Sequence, residues 1–189
     1  ISTGYDTRAQ IFGRCIASAN SPPAALEHGV RRFLARGVPA HKLVLGVPFY
    51  GYAYPCLNSG VMDDVCEIPQ AAWRGVNCSE VVGDEFQYMD VMNLLDNNVC
   101  PPKLDPPAKI CNVTTGRRWD DSTASPYFNF VADGRLRQMW YDDPESLLLK
   151  RQIVTRLGLR GFGPYQLDDL DTNGTRTGNP RAREESQRM

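Results

Sequence analysis

The run Leu43-Val44-Leu45-Gly46-Val47 contains no polar side chain and leads into Pro48-Phe49-Tyr50-Gly51-Tyr52. An apolar run without alternation predicts a parallel strand covered on both faces. The aromatic tail then puts flat rings with polar tips at the strand's carboxyl end, where α/β barrels hold their active sites. Such rings suit sugars, whose C–H faces stack and whose hydroxyls need partners. The plainer alternative is a core strand with an aromatic plug.

The flanking segments fit a parallel sheet. Tyr5-Asp6 reads as the exposed end of an earlier strand. Pro22-Pro23 opens a helix with Ser21 as its expected cap, Leu26, Val30, Phe33 and Leu34 recur at helical spacing, and Gly37 and Pro39 stop it. Strand, helix, strand is a βαβ unit. Further on, Asp142 or Asp143 is expected to cap a helix opened by Pro144 and Glu145, with Leu147, Leu149, Ile153, Val154 and Leu157 as its buried stripe. Gly158 ends that helix, Leu159-Arg160-Gly161-Phe162-Gly163 reads as the next strand with Tyr165 at its end, and Pro180 opens another helix.

The middle differs. Prolines 101, 102, 106, 107 and 126 break any long helix, and Asp133-Gly134 between two aromatic runs signals a hairpin. The expected organisation is therefore 1–52 as α/β elements, 53–139 as a disulfide-rich α+β insertion, and 140–189 as α/β elements again.

Composition excludes some classes. The 189 residues carry a net charge of −1, without the basic balance of a nucleic-acid binder. No apolar run is long enough to span a bilayer, so no membrane partner is expected. The first and last residues suggest a piece of a longer protein. The six cysteines form no Cys-x-x-Cys, and with only His28 and His41 to help they fit no zinc pattern, so no metal and no cofactor are expected. Sequons at Asn77, Asn112 and Asn173 together with the cysteines favour an oxidising secretory route, lysosomal or secreted. Of the many possible connectivities, the expected one has local pairs Cys56–Cys66 and Cys100–Cys111, leaving Cys15–Cys78. Asp169-Leu170-Asp171-Thr172-Asn173-Gly174 copies the first half of an EF-hand loop, but Pro180 stands where the closing Glu belongs.

Together the motifs resemble glycoside hydrolase family 18, the chitinase-like barrels, and within it the chitobiase branch. Tyr5-Asp6 is similar to the end of that family's M-x-Y-D motif on its sixth strand. Gly46-Val47-Pro48-Phe49-Tyr50-Gly51-Tyr52 resembles the seventh strand, and Trp140-Tyr141-Asp142-Asp143-Pro144-Glu145-Ser146-Leu147 the return from the family's insertion. Leu159-Arg160-Gly161-Phe162-Gly163 with Leu170-Asp171 resembles the eighth. Tyr52-Ala53-Tyr54-Pro55-Cys56-Leu57-Asn58 and Arg74-Gly75 before Cys78 carry the resemblance to the chitobiase branch. The resemblance implies strands six to eight of a (β/α)8 TIM barrel plus the insertion domain, with an upstream half of the barrel as partner.

It also implies a reaction: substrate-assisted, retaining hydrolysis of β-1,4-linked N-acetylglucosamine oligosaccharides. The general acid would close a D-x-x-D-x-D-x-E motif that these residues do not contain, so the chain alone is expected not to hydrolyse glycosides. Tyr5 would orient the attacking acetamido oxygen, or simply cap the core. Asp6 would bind a hydroxyl or the acetamido group, or a neighbouring loop. Tyr50 and Tyr52 would line the cleft or pack in the core. Tyr141 and Asp142 would face the cleft from the insertion side, although Asp142 could instead cap its helix with Glu145 reaching back. Tyr165 stands where the family has a Trp flooring the central subsite, and Pro164 before it is unusual in a strand. The alternative is a lectin-like member that binds sugar without catalysis.

Overall fold

The computed structural model describes residues 10–11, 14–72 and 77–189; Tyr5, Asp6 and Arg74-Gly75 lie outside the described residues. Strands β1 (Gln10–Ile11) and β2 (Arg14–Cys15) form a small antiparallel pair before helix α1 (Pro23–Ala35). Strand β3 (Val44–Pro48) follows, and after one residue β4 (Tyr50–Pro55). Then come β5 (Asp84–Gln87), α2 (Tyr88–Asn97), β6 (Cys111–Val113), β7 (Arg118–Asp120), β8 (Ser125–Ala132) and β9 (Arg135–Trp140). Helix α3 (Pro144–Leu157), β10 (Gly161–Tyr165) and α4 (Pro180–Arg188) complete the chain.

The apolar run is parallel, as its composition predicts: β3 pairs with β10 from Val44↔Gly161 to Pro48↔Tyr165. Helices α1 and α3 pack on one another, and α3 packs on both strands. Pro164 lies within β10, opposite Val47 of β3.

The second sheet has six strands in the order β5-β4-β9-β8-β6, with β7 paired to β8. It runs from Tyr50 to Trp140, so the aromatic tail of the apolar run is the first strand of this sheet rather than the end of the parallel one. The expected hairpin is present: Ala132 pairs with Arg135, and Asp133 (φ 46°) with Gly134 (φ 81°) makes the two-residue turn with positive φ at both positions.

Strand alternation sorts this sheet into two faces. Gly51, Ala53, Phe86, Phe128, Phe130 and Met139 point one way and join α2 and the β3 layer in one buried cluster. Tyr54, Tyr127 and Trp140 point the other way and form a second cluster with Cys15, Cys66, Ile68 and Cys78. The 57–65 loop is strapped over this second face. Asn129 Nδ2 donates to the carbonyls of Val61 (3.2 Å) and Asp63 (2.7 Å), and Gln138 Nε2 to that of Asp64 (3.0 Å). All three disulfides pair as expected, Cys15–Cys78, Cys56–Cys66 and Cys100–Cys111.

Some local expectations need correction. Ser21 does not cap α1; Pro22 occupies the cap without a side-chain bond, and Ser21 Oγ donates to Asp142 instead. Phe33 belongs to the predicted stripe but is exposed. In α3 the stripe is displaced by a charge: Lys150 is fully buried along with Ser146, Leu147 and Ile153, whereas Leu149 is half-buried. Asp143 is the cap of α3, accepting from the N–H groups of Glu145 and Ser146, and Ser146 rather than Glu145 reaches back to it. Gly158 ends the helix with φ 62°, a conformation that favours glycine.

Candidate functional site

Tyr50, Tyr52 and Tyr165 come together where the two sheets meet. Tyr50 lies edge-on to Tyr165 with centroids 6.5 Å apart, and edge-on to Tyr52 at 5.9 Å. Two different strands supply these rings. Tyr165 ends β10, where its carbonyl accepts the Phe49 N–H at 2.9 Å. Tyr50 and Tyr52 share a face of β4, and Tyr52 stacks on the buried Tyr54. The start of β4 is held from the other side by Asn20, whose Nδ2 donates to the Tyr50 carbonyl at 3.2 Å. Tyr50 is nearly buried, Tyr52 half-buried and Tyr165 is 61% exposed, so the cluster opens to solvent at Tyr165.

Carboxylates that the sequence reading did not assign to the cleft border these rings. Register places Gln87 opposite Tyr50 and Glu85 opposite Tyr52. The turn after β10 docks there: Gln87 Nε2 donates to the Asp168 carbonyl, and Arg176 bridges Gln87 Oε1 and the same carbonyl. Desolvation raises the pKa of Glu85, Asp90 and Asp169, and the charge on Asp169 raises the other two further. Glu85, hydrogen-bonded by Tyr52, and Asp169, hydrogen-bonded by Gln87, therefore border the aromatic cluster. Strand register brings the first there and the docked turn the second, and sequence pattern alone supplies neither.

Two expected cleft residues sit elsewhere. Tyr141 is 1% exposed, packed against Tyr88 and Phe128, and burial pushes its phenol pKa up strongly. Asp142 is also buried, paired with Lys150 Nζ and accepting from Ser146 Oγ (2.7 Å) and Ser21 Oγ (3.2 Å). In these positions Tyr141 joins the main buried cluster and Asp142 ties the start of α3 to the segment before α1. Tyr5 and Asp6 lie outside the described residues.

The acidic run 169–174 is not built as a cation loop. Asp171 accepts from the N–H groups of Arg176 and Thr177 and from Thr177 Oγ1, which organises the turn before α4. Among the described residues no group of three or more His, Cys, Asp or Glu is placed to hold a metal ion. None of the described helices is long and apolar enough to cross a membrane. Asn77, Asn112 and Asn173 are all exposed.

Comparison with known proteins adds a lineage. The family described as glycosyl hydrolases family 18 matches residues 4–169. The di-N-acetylchitobiase of Rattus norvegicus is 37% identical over 88% of this chain and 41% of its own length. That of Homo sapiens is 33% identical over 90% of this chain and 40% of its own length. The chain thus spans about two fifths of the length of the curated relatives it matches. Among solved structures, human YKL-39, titled a pseudo-chitinase with retained chitooligosaccharide binding, superposes with a TM-score of 0.59 at 20% identity, over 92% of this chain and 45% of that one. The immunomodulatory chitinase TsES1 of Trichuris suis gives 0.60 at 19% identity, over 92% and 44%. At these identities the likeness concerns the fold.

Proposed function

This chain belongs to glycosyl hydrolases family 18, and on that premise we propose that it forms one wall of the sugar cleft of a chitobiase-like glycosidase. The substrate is a β-1,4-linked N-acetylglucosamine oligosaccharide, a chitooligosaccharide or the chitobiose core of an N-glycan. In this reading β3 and β10 are the seventh and eighth barrel strands, and Tyr5-Asp6 ends the sixth. The segment 53–139 is the insertion domain between barrel portions 1–52 and 140–189. The observation that carries the proposal is the meeting of Tyr50, Tyr52 and Tyr165 at the carboxyl end of the parallel pair.

Each residue then has a task. Tyr165 offers the open ring on which a pyranose face stacks, and Tyr50 and Tyr52 wall the cleft behind it. Tyr5 would donate a hydrogen bond from its phenol to the substrate's acetamido oxygen, orienting it as it attacks the anomeric carbon, and Asp6 would hold the same group. The acid that protonates the leaving oxygen belongs to the upstream part of the barrel, so these residues alone bind without hydrolysing. Three disulfides and exposed sequon asparagines support a lysosomal or secreted location.

A second reading is a sugar-binding protein without catalysis, which the cluster of Tyr50, Tyr52 and Tyr165 would serve equally well. Joining the chain to its upstream half and assaying chitobiose separates the two. Hydrolysis that falls about 10²–10⁴-fold in Tyr5→Phe supports the glycosidase. Binding of N-acetylglucosamine oligosaccharides without turnover supports the lectin-like reading. If Tyr165→Ala binds oligosaccharide as tightly as the unaltered chain, the cluster is not the cleft.

A further inference from the structure

Asn20 holds a place that packing alone does not explain. It precedes α1 and is 3% exposed. Its Nδ2 donates to the Tyr50 carbonyl at 3.2 Å, while its Oδ1 is buried without a hydrogen-bond partner. Buried polar groups are as a rule hydrogen-bonded, and an acceptor left bare costs free energy. A leucine of nearly the same shape would fill the space without that cost. What the amide adds is one donated bond, and that bond ends on the residue whose ring joins Tyr52 to Tyr165.

Tyr50 stands at a corner of the chain. Phe49 alone separates β3 from β4. The Phe49 N–H donates to the Tyr165 carbonyl at 2.9 Å, and the Phe49 carbonyl accepts from the Tyr88 N–H at 3.2 Å. At Gly51 a Cβ would come to 2.9 Å from both Val91 Cγ2 and Met139 Sδ, so the backbone there is pressed against α2 and β9. The Asn20 bond falls between these two fixed points. A bond to the backbone sets where the Tyr50 Cα lies, and so where its ring meets Tyr165 at 6.5 Å and Tyr52 at 5.9 Å.

Asn20 is itself anchored. Ser21 Oγ, one residue on, accepts from Lys150 Nζ at 2.5 Å and donates to Asp142 Oδ2 at 3.2 Å. Lys150 and Asp142 also pair with each other, and all three side chains are buried. A line of contacts thus runs from α3 through Ser21 and Asn20 to the start of β4. Groups held by their own packing and hydrogen bonds keep a binding constellation in place before a ligand arrives.

We propose that Asn20 is a positioning residue of the aromatic cleft: its amide, anchored through Ser21 to the buried Asp142–Lys150 pair, fixes the Tyr50 ring between Tyr52 and Tyr165 in the arrangement that receives the sugar. The consequence for sugar binding rests on the function proposed above; the hold on the ring does not.

Two readouts on the chain test this: the nuclear Overhauser contact between the Tyr50 and Tyr165 rings, and calorimetric affinity for the N-acetylglucosamine trisaccharide. Asn20→Leu removes one bond and one bare acceptor together, so its melting temperature should change little. The ring contact should nonetheless weaken, and affinity fall about fivefold. Asn20→Asp supplies a second test that does not depend on the first variant folding. Its introduced carboxyl has no proton to donate when ionised and regains one when protonated. Affinity relative to the unaltered chain at the same pH should therefore recover on acidification; that ratio cancels the titration of Glu85 and Asp169 beside the cleft and the charges of Asp142 and Lys150 beside Ser21. An unchanged ring contact in both variants, or affinity that falls only in proportion to the unfolded fraction, overturns the proposal. If the unaltered chain binds no trisaccharide at millimolar concentration, the cleft reading fails, and the ring contact alone decides whether Asn20 positions Tyr50.

Discussion

The two sheets differ in how much of their covering this chain supplies. The antiparallel sheet is covered on both faces, by α2 on one and by disulfide-closed loops on the other, and Phe128, Phe130 and Tyr54 on it are wholly buried. The parallel pair is left open: Val44 is 40% exposed, Tyr165 61% and Leu167, just beyond the strand, 68%. Parallel sheets are ordinarily covered on both faces. The open ring of the candidate site, Tyr165, thus belongs to the less covered pair.

The junction between the two regions is the place to break this comparison hardest. Asp142, in the return from the sheet, pairs with the fully buried Lys150 of α3 and holds Ser21 before α1. Asp142→Ala would strand a buried ammonium, and urea unfolding should report a loss of about 3–5 kcal/mol. Desolvation already lowers the Lys150 pKa, so the lone lysine would shed its proton to limit the damage. Asp142→Leu together with Lys150→Met should recover most of the loss. A single variant that unfolds like the unaltered chain would return Asp142 to the cleft-facing role read from its motif.

Disulfides sharpen the comparison from the sheet side. Cys15–Cys78 closes a separation of 63 residues and ties β2, ahead of α1, to the loops of the second cluster. Removing it should cost about 4 kcal/mol by loop entropy, against about 3 kcal/mol for either local bridge, whose separations are 10 and 11. Paired Cys→Ser variants compared by thermal melting check the order. If the local bridges prove the costlier, the strapped 57–65 loop matters more to the sheet than the long tie does.

The sequence revealed some elements and hid others for physical reasons. The β8–β9 hairpin was legible because Asp133-Gly134 satisfies a local backbone demand, and α3 because Asp143, Pro144 and Gly158 mark its ends locally. The parallel pairing was legible because an unbroken apolar run has few other uses. What failed was non-local. Ser21 and Pro22-Pro23 look like any helix start, yet the Ser21 hydroxyl is taken by Asp142 and Lys150, far away in sequence. Lys150 interrupts an apolar stripe, and nothing local says that a lysine there is buried. Tyr141 and Asp142 read as site residues through the motif they share with the family; only non-local packing and the pairing with Lys150 bury them. Glu85 and Asp169 border the cluster through register and a docked turn, neither written in a short motif.

The smallest expected effect is a pH dependence that joins the two regions. Glu85 on the sheet, Asp90 on α2 and Asp169 after β10 all have raised pKa values, chiefly from burial, with the charge on Asp169 adding to the first two and that on Asp168 to the third. A raised carboxyl pKa means that the folded chain holds protons the unfolded chain releases. The stabilisation from these groups is complete below the ordinary carboxylate range and is lost as pH rises through their raised values. The melting temperature should therefore climb as pH falls through that window, from their raised values toward the ordinary carboxylate range. Below that window the trend reverses. Burial works against the Asp171 charge, but hydrogen bonds from Thr177 and Arg176 outweigh it and hold its pKa low; the Tyr127 hydroxyl, against burial, does the same for Asp64. Both contribute stability above their unfolded values and lose it as pH falls through the folded ones. Asp169→Asn removes the charge that acts on both partners, so it should raise the melting temperature at pH above the raised carboxyl pKa values and flatten the slope there. A melting temperature that instead falls steadily on acidification through that window would mean that burial does not hold these carboxyls protonated, and that the turn after β10 does not bring Asp169 against the sheet.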